Sequence, residues 1–268
     1  MTGLNSISAV MVYIILKYPD PLCSYAWSNS VTVSSTFGII CNIMMNMVFI
    51  YLQVGDYESA QAVHEEMLDI DPQHWSIGWT DFVVNMSRGN HAGAIEAGKW
   101  ALPKLGNKPQ FQLFIAYAFA MAGQYSEARD LILQANPRWG DSEQWSELFK
   151  TDSFHACLVA GVFAGAGDTA KAQKLMDEAV NYYAEFETKI ERAYTLAPID
   201  CWVARGDHEK ALDMLDTWNE NDFYAYWWFT YQWPWWDDLR SEPRFQAAMQ
   251  TIEEKVAKQR SLIDQMNL

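Results

Sequence analysis

The chain has 268 residues, half of them apolar, so its length and composition allow a sizeable buried core and argue against a disordered protein. Its formal net charge of −15 comes from 34 acidic and 19 basic side chains, and no basic stripe is present. Direct binding of nucleic acid is disfavoured, because phosphate backbones are bound by concentrated positive charge. A partner with basic flanks is favoured instead.

The first 40 residues are rich in β-branched and turn residues and predict an irregular N-terminal arm or a degenerate extra repeat. The apolar run from Ile7 to Leu16 has no preceding basic residue and no small-x-small cleavage site, so a signal peptide is not expected. A second run, Phe37 to Val54, contains Asn42, Asn46 and Gln53, which favours a buried helix over a membrane span.

Cysteine usage indicates neither a zinc site nor a disulfide framework, because the cysteines are far apart and form no C-x-x-C pair. They are expected to be small buried apolar residues with free thiols, which fits a reducing, cytoplasmic location. The four residues are Cys23, Cys41, Cys157 and Cys201.

From residue 55 onward, a short string recurs in which an alanine follows a glycine by five positions. The strings are GDYESA, GNHAGA, GQYSEA, GDTAKA and GDHEKA, and they begin at Gly55, Gly89, Gly123, Gly167 and Gly206. The glycines are 34, 34, 44 and 39 residues apart. The two longer intervals look like the 34-residue period with ten and five residues inserted, and such a repeat predicts stacked structural units rather than one globular core.

Each string is typical of a tight turn between two helices. The glycine can adopt the left-handed conformation that ends a helix, where a side chain would cost about 1–2 kcal/mol. Asp56, Asn90, Asp168 and Asp207 follow the glycines and can cap the next helix, whereas Gln124 caps less well. The alanines lie where two helices approach closely, and overfilling such a contact costs about 1–3 kcal/mol.

The period, the strings and the apolar helices around them resemble the tetratricopeptide repeat (TPR) family. The resemblance implies an all-α fold, a right-handed α-α superhelix or solenoid of about five helical hairpins with a C-terminal capping helix. The expected organisation is an arm at 1–40, repeats within 41–225, and an aromatic-rich cap at 226–268. The five repeats are placed at 41–74, 75–108, 109–142, 153–186 and 192–225.

The resemblance also implies a concave groove lined by the first helix of each repeat. The residues expected to line it are Met45, Phe49, Trp79, Val83, Leu113, Phe114, Tyr117, Cys157 and Leu196. Their apolar character predicts binding of an apolar helix or extended segment of a protein partner. Relatives that clamp a peptide carboxylate use Lys and Asn at such positions, so that mode of binding is disfavoured here.

The stretch from Tyr224 to Trp236 holds nine aromatic residues in thirteen positions and follows the last repeat. A solenoid must cover its terminal apolar face, so most of this stretch is expected to be end-capping core. All of its tryptophans cannot point inward, however, which leaves open a partly exposed aromatic surface that binds a partner or an apolar or cationic ligand. That alternative surface is Trp228, Trp233, Trp235 and Trp236.

No catalytic or cofactor motif is found: HEEM at His64 lacks the second histidine of a zinc protease, and no phosphate-binding loop or nucleophile elbow is present. The sequence therefore predicts a non-enzymatic interaction scaffold without metal or cofactor. The closing sequence resembles the C-terminal TPR regions of bacterial multidomain regulators, so a regulatory module of a transcriptional regulator or cyclase is the first alternative. Ligand binding at the tryptophans is the second, and a homodimer through the aromatic end stays open.

Overall fold

The computed structural model describes residues 36–105, 108–152, 155–184, 197–220, 227–230 and 232–265. Within these ranges the regular structure is helical, without any strand. The expected N-terminal arm at 1–40 lies outside the described residues except for 36–40, which belong to the first helix. That helix therefore begins five residues before the first repeat was placed.

Thirteen α-helices are defined within the described ranges. In chain order they are α1 (Thr36–Gln53), α2 (Tyr57–Ile70), α3 (Trp75–Ser87), α4 (His91–Leu105), α5 (Pro109–Met121), α6 (Tyr125–Ala135), α7 (Trp145–Asp152), α8 (Ala156–Gly165), α9 (Thr169–Ala184), α10 (Ala197–Ala204), α11 (His208–Glu220), α12 (Trp227–Thr230) and α13 (Pro243–Gln265). Short 3₁₀ turns cover Pro137–Gly140, Ser142–Gln144 and Pro234–Leu239.

Ten of these helices form five sequential pairs, each joined by one of the glycine strings. The pairs are α1 with α2, α3 with α4, α5 with α6, α8 with α9, and α10 with α11. Neighbouring pairs also pack on each other, as α1 does on α3, α4 on α5, and α8 on α10. An all-helical fold of adjacent helix pairs is thus confirmed.

The five turns share one backbone geometry. All five glycines have positive φ, from 67° to 91°. In each turn the next residue donates its N–H to the carbonyl five positions back, as Asp56 does to Tyr51 at 2.8 Å and Asp207 to Trp202 at 2.9 Å. This bond occupies a carbonyl that the helix end would otherwise leave unpaired. The left-handed glycine predicted from the sequence is therefore confirmed five times.

Side chains at the turns behave as their chemistry predicts. Asp56 accepts the N–H of Ser59 at 3.0 Å, and Asn90 accepts that of Gly93 at 3.2 Å. Gln124 makes no such cap bond. The alanines expected at the helix–helix contact are all buried, and they are Ala60, Ala94, Ala128, Ala172 and Ala211.

The insertion between the third and fourth pairs forms two 3₁₀ turns and helix α7. Its two tryptophans, Trp139 and Trp145, are fully buried, and the Trp145 indole N–H donates to the Trp139 carbonyl at 3.1 Å. These side chains therefore fill the core between the pairs instead of offering a recognition surface.

The cysteine prediction needs correction. Cys41 is buried and free as expected, but Cys157 in α8 and Cys201 in α10 form a disulfide with their Cα atoms 4.9 Å apart. No short motif announces this bond, because the two residues are 44 positions apart and meet only through the stacking of two helix pairs. Among the described residues, none of the helices has the length and apolarity needed to cross a bilayer.

Helix α13 packs on the last pair, as a capping helix should. Asn219 of α11 donates to the Ala248 carbonyl at 3.1 Å, and Phe245, Ile252 and Val256 of α13 are buried. The helix then continues beyond the last pair, since its 23 residues span about 35 Å. Near its end, Arg260 donates to the Val54 carbonyl from Nε at 3.0 Å and from Nη2 at 2.8 Å. Helix α13 thereby bridges the fifth pair and the first.

Candidate functional site: the first-helix face and the tryptophan segment

The residues expected to line a groove are placed on the first helices of the pairs, where the prediction put them, but most of them are covered. Met45, Trp79, Val83, Leu113, Tyr117 and Cys157 are buried. Phe49 and Phe114 are half-buried and pack against the core. Leu196 lies outside the described residues. The first-helix face is therefore occupied in this structure.

Its occupant includes residues 227–230 and 232–239 of the same chain, named here the tryptophan segment. Two side chains of the segment donate hydrogen bonds to the first and second pairs. The Trp227 indole N–H donates to the Gln53 carbonyl at the end of α1 at 3.0 Å. Gln232 donates from Nε2 to the Ser87 carbonyl at the end of α3 at 3.1 Å. The first and second pairs are thus held through backbone acceptors.

At the third pair the contacts are made by aromatic rings. Phe229 meets Phe114 with ring centroids 6.0 Å apart, and Trp233 meets Tyr117 at 5.2 Å; both pairs are edge-to-face. Trp233 also stacks on Trp235 at 4.5 Å. Edge-to-face and offset-stacked arrangements are the favourable geometries for aromatic rings.

At the fourth and fifth pairs, the segment lies against helices α8 and α10. The ring of Trp235 covers Gly161 so closely that a Cβ at this position would lie 2.7 Å from ring atoms. The Trp236 indole N–H donates to Oδ1 of Asp200 at 2.9 Å. The described residues between positions 227 and 236 therefore contact the first helices of all five pairs.

The alternative of an exposed aromatic surface is not supported by the burial of these tryptophans. Trp228, Trp233 and Trp236 are at most 4% exposed, and Trp235 is half-buried. They cover the first-helix face because that face is itself apolar and runs the length of the stack. Among the described residues of the aromatic stretch, Trp228, Phe229, Trp233 and Trp236 are buried, and they cover a face of the stack rather than only its end.

A small polar cluster is buried beneath the segment. The Tyr117 hydroxyl and Nδ1 of His155 are 2.6 Å apart, and His155 Nε2 lies 3.6 Å from Oδ1 of Asp152. Burial lowers the pKa of His155 to about 3, so the histidine is neutral and the contact with Asp152 is no ion pair. Burial also raises the pKa of Tyr117 well above its usual value.

Asp200 is the most unusual member of this region, because it is a carboxylic acid only 2% exposed. Burial raises its pKa to about 7, and the hydrogen bond from Trp236 opposes that shift. A carboxyl group in such a place can hold an indole N–H strongly, but Asp200, His155 and Tyr117 are all closed to solvent. Their arrangement supports structural polar contacts between pairs, and it gives no support to a catalytic role.

Sequence reasoning missed Ser87, Gly161 and Asp200 as contact positions. Ser87 contributes a backbone carbonyl, which leaves no signal in the sequence. Gly161 and Asp200 did carry one: a glycine inside an apolar helix marks a close approach, and an acid inside PIDCWVA marks a buried polar partner. In the described part of the chain, no group of three or more metal-ligating side chains is found.

Comparison with known proteins adds no family assignment. A scan against protein-family models finds no match. A search of curated proteins finds no significant similarity.

Proposed function

We propose that this protein is a non-enzymatic interaction scaffold, a TPR-like right-handed superhelix whose first-helix face binds a segment of a protein partner. One observation carries the proposal: the tryptophan segment lies along the first helices of all five pairs through side-chain hydrogen bonds and ring contacts. A face that holds one chain segment in this way has the chemistry to hold another.

The mode of binding follows from the contacts. Backbone carbonyls at the ends of α1 and α3 accept side-chain donors, and aromatic rings of α5 accept aromatic side chains. Combining backbone bonds for affinity with pockets for side chains is the general logic of peptide recognition. The proposed partner segment is apolar and aromatic, and the chain's charge of −15 favours basic flanks through electrostatic steering.

A partner segment has to compete with the tryptophan segment, which already covers the first-helix face. Because the tryptophan segment is tethered to the face that it covers, it competes at an effective concentration that is about millimolar for short flexible connections. A partner must displace it, at least in part. The proposed function is thus that of a scaffold whose binding face is covered until a partner with stronger contacts arrives.

A peptide-display selection tests this function. The bait is the full chain with Trp233→Ala and Trp236→Ala, which removes the two most buried rings of the segment; the matched control is Trp139→Ala, a fully buried tryptophan outside the segment. Both variants are first checked for helical content. We expect peptides to be enriched on the double variant and not on the control. Failure to enrich any peptide on the folded double variant would contradict the proposed function.

A further inference from the structure

We propose that Tyr117, Gly161 and Asp200 form a tryptophan-reading site for a partner segment with the pattern Trp-x-Trp-Trp, occupied in this chain by its own residues 233–236. The inference rests on the proposed function and names the partner's chemistry. It concerns the third, fourth and fifth pairs, where consecutive tryptophans meet consecutive first helices.

The first position of the pattern is read by Tyr117. Trp233 lies edge-to-face on its ring and is fully buried, so a side chain of aromatic shape is required. Among the described residues, the Trp233 indole nitrogen has no hydrogen-bond partner. This position therefore selects an aromatic ring and does not read its N–H group.

The second tryptophan of the pattern is read by Gly161. This glycine lies in the middle of α8, where it has no turn to form, and the ring of Trp235 occupies the place of a side chain. Any larger residue would collide with the ring, because a Cβ would be 2.7 Å from it. The missing side chain thus creates a flat surface on which an indole lies.

Asp200 binds the third tryptophan of the pattern, Trp236, and it is the residue that distinguishes tryptophan from other aromatic side chains. Its carboxyl oxygen is 2.9 Å from the indole nitrogen, in surroundings without water access. Of the large aromatic side chains only tryptophan carries an indole N–H, so phenylalanine would remove the hydrogen bond that Trp236 donates to Oδ1 of Asp200. Sites with a buried polar group reject ligands that lack its partner more strongly than apolar sites reject a wrong shape.

The disulfide fixes the two helices that carry these positions. Cys157 precedes Gly161 by one helical turn in α8, and Cys201 is the neighbour of Asp200 in α10. The covalent bond between Cys157 and Cys201 therefore holds the second and third reading positions at a constant spacing. A preformed site of this kind costs less ordering on binding.

The segment that occupies the site is an imperfect ligand, because the buried Trp233 donor is left unsatisfied by the part of the chain that the structure describes. An unsatisfied buried donor weakens the segment that carries it. A partner with the same pattern and no such defect has a way to compete. Residues 233–236 therefore occupy the site with the same kind of side chains that the partner segment is proposed to supply.

The test uses the full chain and three synthetic peptides labelled with fluorescein: residues 227–239, the same peptide with phenylalanine at the place of Trp236, and one with phenylalanine at the place of Trp233. The host chain carries Trp236→Phe, which keeps an aromatic ring and weakens the internal segment. Trp235→Ala is the second host, since its side chain is only half-buried. The wild-type chain, in which the internal segment is unchanged, is the control. Fluorescence anisotropy measures the binding of each peptide to folded protein.

We expect the host chains to bind the natural peptide about tenfold or more tightly than wild type does. Phenylalanine at 236 should lower the affinity by about tenfold or more, whereas phenylalanine at 233 should change it by less than about threefold. Asp200→Ala in the host should abolish the difference between the two peptides. Equal affinity of all three peptides for the folded hosts would overturn the reading site and leave the proposed function standing. Failure of the natural peptide to bind either folded host, while the display selection yields peptides without the pattern, would overturn it as well.

Discussion

The five glycine turns and the tryptophan segment are built in opposite ways. Each turn is made by residues within about five positions of one another, and the same bonds occur five times. The segment occurs once, and its bonds to Gln53 and Ser87 join residues 174 and 145 positions apart. Local geometry is thus repeated along the chain, while a single stretch contributes distant contacts to all five pairs.

Among the substitutions that test this comparison, Trp233→Ala is expected to have the largest effect on stability. Removal of a fully buried tryptophan leaves a cavity under the segment, and we expect the free energy of unfolding to fall by about 3–5 kcal/mol. Urea unfolding measures the loss. The control is Trp100→Ala in α4, where the ring is 38% exposed and a clearly smaller loss is expected. Equal losses would show that the segment is no part of the core.

Removing the disulfide is expected to have the next largest effect. Cys157→Ser with Cys201→Ser should lower the free energy of unfolding by about 2–4 kcal/mol, because the bond closes a loop of 44 positions in the unfolded chain. Thermal unfolding with and without a thiol reductant measures it. Cys41→Ala is the control, and its response to reductant should match that of wild type. Insensitivity of wild type to reductant would contradict a disulfide.

Substitutions at two turn glycines distinguish the local cost of straining a turn from the cost of disturbing the distant contact with α13. At Gly123 an added Cβ meets nothing within 4 Å, so Gly123→Ala should cost only the left-handed strain, about 1–2 kcal/mol. At Gly55 the same strain applies, and the Cβ would also lie 2.7 Å from Nη2 of Arg260. Since Nη2 of Arg260 bonds to the Val54 carbonyl and would have to shift, Gly55→Ala should cost up to about 1 kcal/mol more. Urea unfolding of both variants tests this, and equal costs would mean that the bond from Nη2 of Arg260 adds no measurable stability.

The smallest expected effect is on the pH dependence of stability. The folded pKa of Asp200, about 7, lies above its ordinary value of 3.8, so its contribution is full below about pH 4 and is lost as pH rises through 7. His155 acts oppositely: its pKa is lowered from 6.5 to about 3, so its contribution is present above pH 6.5 and lost as pH falls toward 3. Between pH 4 and 6.5 the two trends oppose each other, and Asp152, whose pKa burial also raises to about 7, follows Asp200.

Asp200→Asn removes one of these trends and keeps a group that can accept the Trp236 bond. Between pH 4 and 7 we expect the free energy of unfolding of the variant, taken relative to that of wild type, to increase with pH. Urea unfolding at a series of pH values measures the slopes. Superimposable profiles would mean that Asp200 does not hold a proton in the folded protein.

The contrast also explains what the sequence could reveal. The turns were predictable because Gly55 and its four equivalents act through their own backbone and through an alanine five positions later. That the aromatic stretch contributes buried core was predictable from its composition. The surface that it covers was not, because nothing in the composition of residues 227–239 specifies contact with Gln53, Ser87 or Tyr117. The Cys157–Cys201 bond escaped prediction for the same reason.

The candidate site was predictable in part. First-helix positions such as Tyr117 and Trp79 were correctly placed by the period on one set of helices. Their cover was not foreseen, since an open groove and a groove filled by its own chain have the same repeat pattern. Asp200 could have been singled out as an acid within an apolar helix, but its partner, Trp236, lies 36 positions away.

The most direct test of the central claim is a photo-cross-link from the segment to the first-helix face. Trp235→p-benzoylphenylalanine places a reactive aromatic group against Gly161, and mass spectrometry of the digested protein locates the product. The account predicts an intramolecular cross-link to α8, within residues 156–165. A cross-link to a second chain or to the second helices of the pairs would contradict it.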